Sequence, residues 1–287
     1  MTPARKLPGG GSDEMAEVGA RMRLSEIWWV AYRSLKKLSR SPVVLLFTLL
    51  MPLIWLGLFS QVFGTVFSAG AAAIGGHALP YDYVAVLLPG IAIMTDITSS
   101  SQTGFSMVMD IDSGFIDKFF VAPMRRSSVL LGKLLADGLR MGGQAGLVLL
   151  IAYGFKLGLG WRIPFATGPA GALLIMFLAA AFGIAFSGLS NTVALRTKNT
   201  ESTQLVSFTL TFPLLFLSTA LLPVSVLPGW VQTFSGLNPV SYTATACRDL
   251  ILTGFNWTAV GQAFLAIAIL GGFLNGLAVL SFRSLGR

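Results

Sequence analysis

Histidine occurs once in this chain, at His77, and cysteine once, at Cys247. A single thiol excludes an internal disulfide and any multi-cysteine metal site. A single imidazole excludes a histidine cluster. Charge is scarce as well: 11% of the 287 residues are charged, where a soluble domain carries about 25%. Too little charge is present to coat a globule. With 54% hydrophobic residues and a mean hydropathy of +0.75, the natural solvent of the chain is lipid. A formal net charge of +8 points first to nucleic acid. The basic residues, however, cluster in the segments between apolar runs, where they set membrane topology, so no nucleic-acid partner is expected.

Six long apolar runs stand out, at about 43–66, 83–109, 130–155, 166–192, 203–222 and 257–282. Each approaches the roughly 20 residues that cross a bilayer as a helix. Glycine, proline and hydroxyl residues interrupt them, which membrane helices tolerate when neighbours satisfy the freed backbone groups. The first run starts at Val43, too late for a signal peptide, and no small-residue cleavage site follows its core, so it reads as a retained span. Lys and Arg then set the orientation. With the N-terminus inside, the inner segments 1–42, 110–133, 193–203 and the tail from Arg283 hold sixteen of the twenty. The outer segments hold three, Lys156, Arg162 and Arg248, and Arg140 lies within a run. Both termini are therefore expected in the cytoplasm.

Three segments outside the spans carry their own patterns. Residues 1–22 are polar and Gly-rich and read as a disordered tail. In 23–41, Leu24, Ile27, Trp28, Ala31, Leu35 and Leu38 recur at helical spacing, with Arg23, Arg33, Lys36, Lys37 and Arg40 between them. A basic amphipathic helix bearing tryptophan lies in the interface, not across it, and Ser41-Pro42 breaks it before the first span. It serves as a topogenic anchor or also as part of a docking surface. The outer segment 223–256 is too apolar for a free loop and too broken for a span. Pro228 opens one short helix ending near Gly236. Asn238 offers an N-cap with Pro239 at the first helical position, and Gly254 closes the second helix. The pair predicts a hairpin dipping into the outer leaflet, with Trp230 and Arg248 in it.

Between the second and third spans lies DSGFIDKFFVAPMRRSS, 112–128. Asp112 or Ser113 can cap a helix, and Asp117 falls in its early turns, where negative charge meets the helix dipole. Phe115 and Phe119 are four apart, as are Ile116 and Phe120, giving one apolar ridge beside Lys118. Pro123 stops the helix, and Arg125 and Arg126 follow. Such a short cytoplasmic helix, at about 113–122, either lies on the inner leaflet or forms a knob for a cytoplasmic subunit.

These features together resemble the membrane subunit of ABC exporters of the ABC-2 type, particularly the drug-resistance group typified by daunorubicin export permeases. YVAVLLPGIAIM (83–94) is similar to the Pro-Gly opening of that family's second span, and GFIDKFFVAPMRRSSVLLGK (114–133) to its coupling helix. FLSTALLPVSVLPGWVQTFSGLNPVSYTATACRDLI (216–251) resembles its fifth span and outer hairpin, with two prolines, a tryptophan, Asn-Pro and Arg in family order. The resemblance covers roughly 23–283. It implies an all-α integral membrane fold of six spans, an N-terminal elbow helix, a coupling helix and an outer re-entrant hairpin. It implies two ATP-binding subunits with ATP and Mg bound there, a second permease copy, and export of an amphiphilic drug, lipid or metabolite. This chain has no ATP site of its own. At Gly132-Lys133 the P-loop pattern finds Ser127 where a glycine is needed and Leu134 where Ser or Thr is needed. The DxD at 110–112 is no EF-hand, since Phe115 stands where that loop needs glycine.

Polar residues within the runs mark the candidate pathway. Asp96 lies mid-span in TDITSSSQTG (95–104), and a central Asp costs about 2.5–3.5 kcal/mol on insertion scales. With Ser99, Ser100, Gln102 and Thr103 it forms either a hydroxyl-rich helix contact or a translocation surface at a dimer seam. Trp55, Phe59 and Phe63 share one face of the first span and either line a route for an apolar cargo or touch lipid. Asp137 and Arg140 read as a mutual pair. Gln61, Asn191 and Asn275 read as helix-end or inter-helix hydrogen bonds, and Cys247 as a small buried hydrophobe. Two other readings compete with drug export: a lipid-linked polysaccharide permease, and an ion-coupled carrier with Asp96 as its site, which would call for an internal repeat.

Overall fold

The computed structural model of the protein describes residues 42–73, 81–114, 126–222 and 227–284, with Trp29, Lys36 and Val224 beside them. Among the described residues there are eight helices and no strand: α1 (Pro42–Ala73), α2 (Tyr83–Asp112), α3 (Arg126–Leu159), α4 (Gly168–Thr197), α5 (Thr200–Phe216), α6 (Gly229–Ser235), α7 (Pro239–Leu252) and α8 (Trp257–Ser284). Each apolar run of the sequence has become a helix. Four are long and apolar enough to cross a membrane, over Tyr83–Asp112, Gly132–Gly158, Gly168–Thr197 and Trp257–Ser281, and Leu50–Thr65 in α1 is a shorter apolar stretch. Trp29 and Lys36 are helical and exposed. The rest of the elbow segment 23–41 lies outside the described residues, as do the tail 1–22, His77 and the segment 115–125 with Phe115, Ile116, Asp117, Lys118, Phe119, Phe120 and Arg125.

α2 and α4 form the central pair. α2 is packed by α1, α3, α4, α5 and α7, and α4 by α2, α3, α5, α7 and α8. Small residues bring these helices close. A side chain on Gly138 would meet Ile184 of α4, and one on Gly188 would meet the backbone of Leu274 and Asn275 in α8. Asn275 also donates across that contact to the carbonyl of Ile184 at 3.2 Å, as its placement in an apolar run predicted. α8 turns Leu265, Ile269, Phe273 and Leu280 outward, the arrangement of a helix solvated by lipid on one side.

Two boundaries differ from expectation. α2 runs on to Asp112, with Ser113 as its C-cap and Gly114 left-handed at φ 63. Asp112 and Ser113 therefore close α2, and the rest of the helix expected over about 113–122 lies outside the described residues. The run 203–222 is helical only to Phe216. Pro213 sits in its last turn, and the chain bends from Ser218 to Leu222. The α4–α5 connection is two residues long: Lys198 takes the left-handed conformation at φ 50 as C-cap, and the Asn199 side chain caps α5 by accepting from the Ser202 N–H at 2.9 Å.

The two short helices expected in 223–256 are present, with the caps their sequence reads. α6 starts after Pro228 and ends at Gly236. Asn238 caps α7 by accepting from the Val240 N–H at 3.0 Å, with Pro239 at the first position. Gly254, at φ 132, ends the second helix by donating to the carbonyl of Asp249 at 2.8 Å.

Candidate functional site

Two polar constructions lie inside the bundle. The first is a seam along α2. Ser99 donates to the Gln144 side chain of α3 at 2.5 Å. Arg140 of α3 reaches back to the carbonyl of Ser99 at 2.9 Å and the hydroxyl of Thr103 at 3.1 Å, and holds Asp137 at 3.4 Å as the i,i+3 pair predicted from sequence. On the other side Ser100 donates to the carbonyl of Gly183 in α4 at 2.9 Å, and Ser190 donates to the carbonyl of Ser100 at 2.6 Å. Gly104 lets α4 and α5 close in, since a Cβ there would lie 2.7 Å from the Ser190 oxygen and from Thr203 Cγ2.

Ion pairs anchor the same α2–α3 hairpin at both ends. Lys133 meets Asp110 at 2.8 Å next to the 115–125 segment. At the far end Asp82 meets Arg162 at 2.9 Å and accepts from the Arg162 backbone N–H at 2.8 Å.

Asp96 stands in this seam without a partner. It is 0% exposed, and neither carboxyl oxygen meets a hydrogen-bond donor. α4 packs tightly against it: a Cβ on Gly183 would lie 3.4 Å from Asp96 Cβ and collide with the sulfur of Met141. Asn191 Oδ1 and Ser207 Oγ, on α4 and α5, are also buried without partners, so the hydrogen bond expected of Asn191 is not formed through its oxygen. Gln61 is exposed on α1.

Of the two readings of this stripe, the hydroxyl-rich helix contact is the one that the packing forms within one copy. Asp96, Ser99, Ser100 and Thr103 are each 0% exposed because α3 and α4 cover them within one copy. Of that group Gln102 alone is half-buried. A second copy cannot touch this stripe without the helices parting.

The second construction surrounds the unwound segment after α5. Non-helical backbone at membrane depth survives only where protein satisfies it, and here distant side chains supply donors to the carbonyls of Leu214, Leu217, Thr219, Ala220 and Leu221. Asn238 donates to Leu214 at 2.6 Å and Leu217 at 3.2 Å. Arg248 donates to Thr219 at 2.6 Å, to Ala220 at 3.3 Å and to Val86 of α2 at 3.2 Å. Tyr83 donates to Leu221 at 2.9 Å. Val86 lies beside Ala85, whose carbonyl lacks its helical donor because Pro89, inside α2, has no N–H. Gly90 completes the fit: any Cβ on it would run into the carbonyl of Ala220. The Pro-Gly of the second span and the Asn-Pro and Arg of the hairpin thus serve one joint. Next to Arg248, burial pushes the Cys247 thiol up to about 12, so it stays protonated and inert, as its reading as a buried hydrophobe implied.

Trp55, Phe59 and Phe63 stack along α1, with ring centroids 4.9 and 5.3 Å apart, and Phe63 meets Tyr83 at 6.3 Å. The ladder climbs away from Asp96 toward the unwound segment, so the predicted pathway residues fall into two groups, not one. Trp230 is 63% exposed on α6, in edge contact with Phe234. Sequence reasoning missed Tyr83 and Gln144. Gln144 left a trace, as the lone amide in an apolar run. Tyr83 left none, because its partner is a backbone carbonyl 138 positions away.

Comparison with known proteins decides the family. The model of the ABC-2 type transporter matches residues 25–252. The chain belongs to that family. It is 28% identical over 260 residues to a daunorubicin resistance ABC transporter permease protein of Streptomyces coeruleorubidus, covering 91% of this chain and 84% of that one. It is 30% identical over 229 residues to a putative transport permease of Cyanophora paradoxa, covering 79% and 74%. A probable doxorubicin resistance ABC transporter permease of Mycobacterium tuberculosis is 25% identical over 254 residues, covering 88% and 84%. The ABC-2 permease and its apolar helices make this a multi-pass membrane protein.

Proposed function

We propose that this ABC-2 permease is the membrane subunit of an ATP-driven exporter that moves an amphiphilic drug, lipid or metabolite out of the cytoplasm or inner leaflet. Family membership over 25–252 carries the reading, and relatives named for daunorubicin and doxorubicin resistance favour drug-like cargo. ATP and Mg are held by two copies of a separate ATP-binding subunit, and two permease copies make the channel. Both termini face the cytoplasm and all six long helices span, with the elbow at 23–41 in the interface and the α6–α7 hairpin in the outer leaflet.

In this account the segment 113–122 docks in the ATP-binding subunit through the ridge of Phe115, Ile116, Phe119 and Phe120, with Asp117, Lys118, Arg125 and Arg126 around it. The Lys133–Asp110 and Arg140 contacts pass its motion to α2. Asp96 then serves the pathway when α2 moves against α3 and α4: a buried carboxyl without a donor is a costly thing to keep in a membrane core unless another conformation uses it. The test is Phe119→Ala with Phe120→Ala, assayed as ATP-driven cargo uptake into inverted vesicles. Expected is a folded protein whose partner hydrolyses ATP without transport; unchanged transport contradicts the docking role.

The orphan carboxyl also favours a second reading, an ion-coupled carrier using Asp96. That reading requires transport without any ATPase and its loss in Asp96→Asn. A lipid-linked polysaccharide permease differs from the first reading in cargo alone, and competition by glycan-lipid against aromatic drugs separates them.

A further inference from the structure

The aromatic ladder on α1 ends at a cleft beside the joint, with Tyr83 and Leu221 common to both. Its walls are Phe59 and Phe63 of α1, Tyr83 of α2 and Phe216 of α5, its floor is Leu221 and Leu222, and its volume is about 100 Å³. The polar groups at its edge are engaged. The Tyr83 hydroxyl donates to Leu221, and the Ser218 hydroxyl donates to the carbonyl of Leu215 at 2.6 Å. The site therefore suits an apolar group and not a sugar, a phosphate or an ammonium. A dry apolar cavity of about 150 Å³ accepts benzene, so this cleft is on the scale of a single ring.

The wall is also ordered. Phe59 stacks on Trp55 and on Phe63, inclined by 21° and 15°, so the faces of these rings meet one another and the edges left to the cleft suit an edge-to-face ring. The floor is held in advance, because Arg248 fixes the carbonyls of Thr219 and Ala220 immediately before it. A preorganised wall spares the ordering cost of binding.

We propose that this cleft between α1, α2 and the unwound end of α5 is a binding subsite for one aromatic ring of the cargo. The proposal rests on the exporter reading for the word cargo, but the binding itself requires no ATPase.

The experiment uses the full chain in lipid nanodiscs and a phenyl diazirine photolabel, with labelled residues mapped by mass spectrometry. Iodobenzene in excess is expected to reduce labelling of Tyr83, Leu221 and Leu222 at least fivefold, and that of lipid-facing Leu58 and Phe212 little. Leu222→Trp fills the floor, and Leu227→Trp fills the mouth of the cleft should the first variant fail to fold; either is expected to abolish the saturable fraction. Labelling at Tyr83 and Leu221 that falls no further than at Leu58 overturns the proposal, since the label is then merely dissolved in lipid. Displacement by a long-chain fatty acid but not by iodobenzene also overturns it, in favour of an acyl chain. Saturable labelling in a chain that binds no ATPase would keep the cleft and remove the exporter; an ATPase complex without saturable labelling would do the reverse.

Discussion

The guanidinium of Arg248 hydrogen-bonds the carbonyl of Val86, 162 positions earlier in the chain, at 3.2 Å, and with its other arm holds Thr219 at 2.6 Å. One side chain of α7 thereby ties the first turns of α2, just before Pro89, to the unwound end of α5. Hydrogen bonds from charged groups contribute about 1.5–3 kcal/mol each, and the orphaned carbonyls add their own penalty. Arg248→Gln is expected to destabilise the protein by about 2–4 kcal/mol, read as a lower melting temperature in detergent and reduced yield. An unchanged melting temperature contradicts the clamp.

Gly90 and Gly57 make a paired test. A Cβ at Gly90 strikes the carbonyl of Ala220, while one at Gly57 meets nothing within 4 Å. Gly90→Ala should therefore cost stability in the range of an overpacked core, about 1–3 kcal/mol, while Gly57→Ala should be neutral or slightly stabilising. Comparable melting curves for the two variants would mean the joint is looser than drawn.

For Asp96, folding and function should part company. With both oxygens unpartnered, removing the carboxyl relieves a desolvation cost. Asp96→Leu is expected to keep or raise the melting temperature and to abolish cargo-stimulated ATP hydrolysis by the complex. If stimulation survives, Asp96 is not part of the pathway.

The Lys133–Asp110 pair is half-buried, with side chains 13% and 22% exposed. Either neutralised alone should lower stability by about 1 kcal/mol, more than a surface pair, and reduce transport per ATP. The swapped pair, Asp110→Lys with Lys133→Asp, should restore much of both. Failure of the swap to improve on the single variants counts against direct pairing.

Cys247 should be silent. Burial pushes the Cys247 thiol up to about 12, so it is neutral at ordinary pH, and thiolate is the reactive form. Raising the pH from about 7 to about 9 stays well below that value, so maleimide labelling of the folded protein should remain near zero and appear on denaturation in SDS. Fast labelling at pH 7 would place Cys247 at an open surface.

The sequence made the long helices and both short helices of the hairpin legible, because apolar length and capping residues such as Asn238-Pro239 are local signals. It also marked Arg140 with Asp137, which are three apart on one helix. It did not show that Asp96, Ser99 and Ser100 are enclosed within one copy. A polar stripe on a span looks the same whether it faces a partner chain or the chain's own α3 and α4. The end of α5 was misjudged for a related reason: Ser218 to Leu222 are apolar enough to continue a helix, and what lets them unwind is donors from Tyr83, Asn238 and Arg248, all distant in sequence.

The most direct test of the central claim is copurification with an ABC-type ATP-binding protein coexpressed from the same genome, after gentle solubilisation. The account predicts that the two elute together at a one-to-one ratio with vanadate-sensitive ATP hydrolysis, and that Phe119→Ala with Phe120→Ala weakens the complex. A stable oligomer of this chain alone, with no ATPase bound and transport intact, would contradict it.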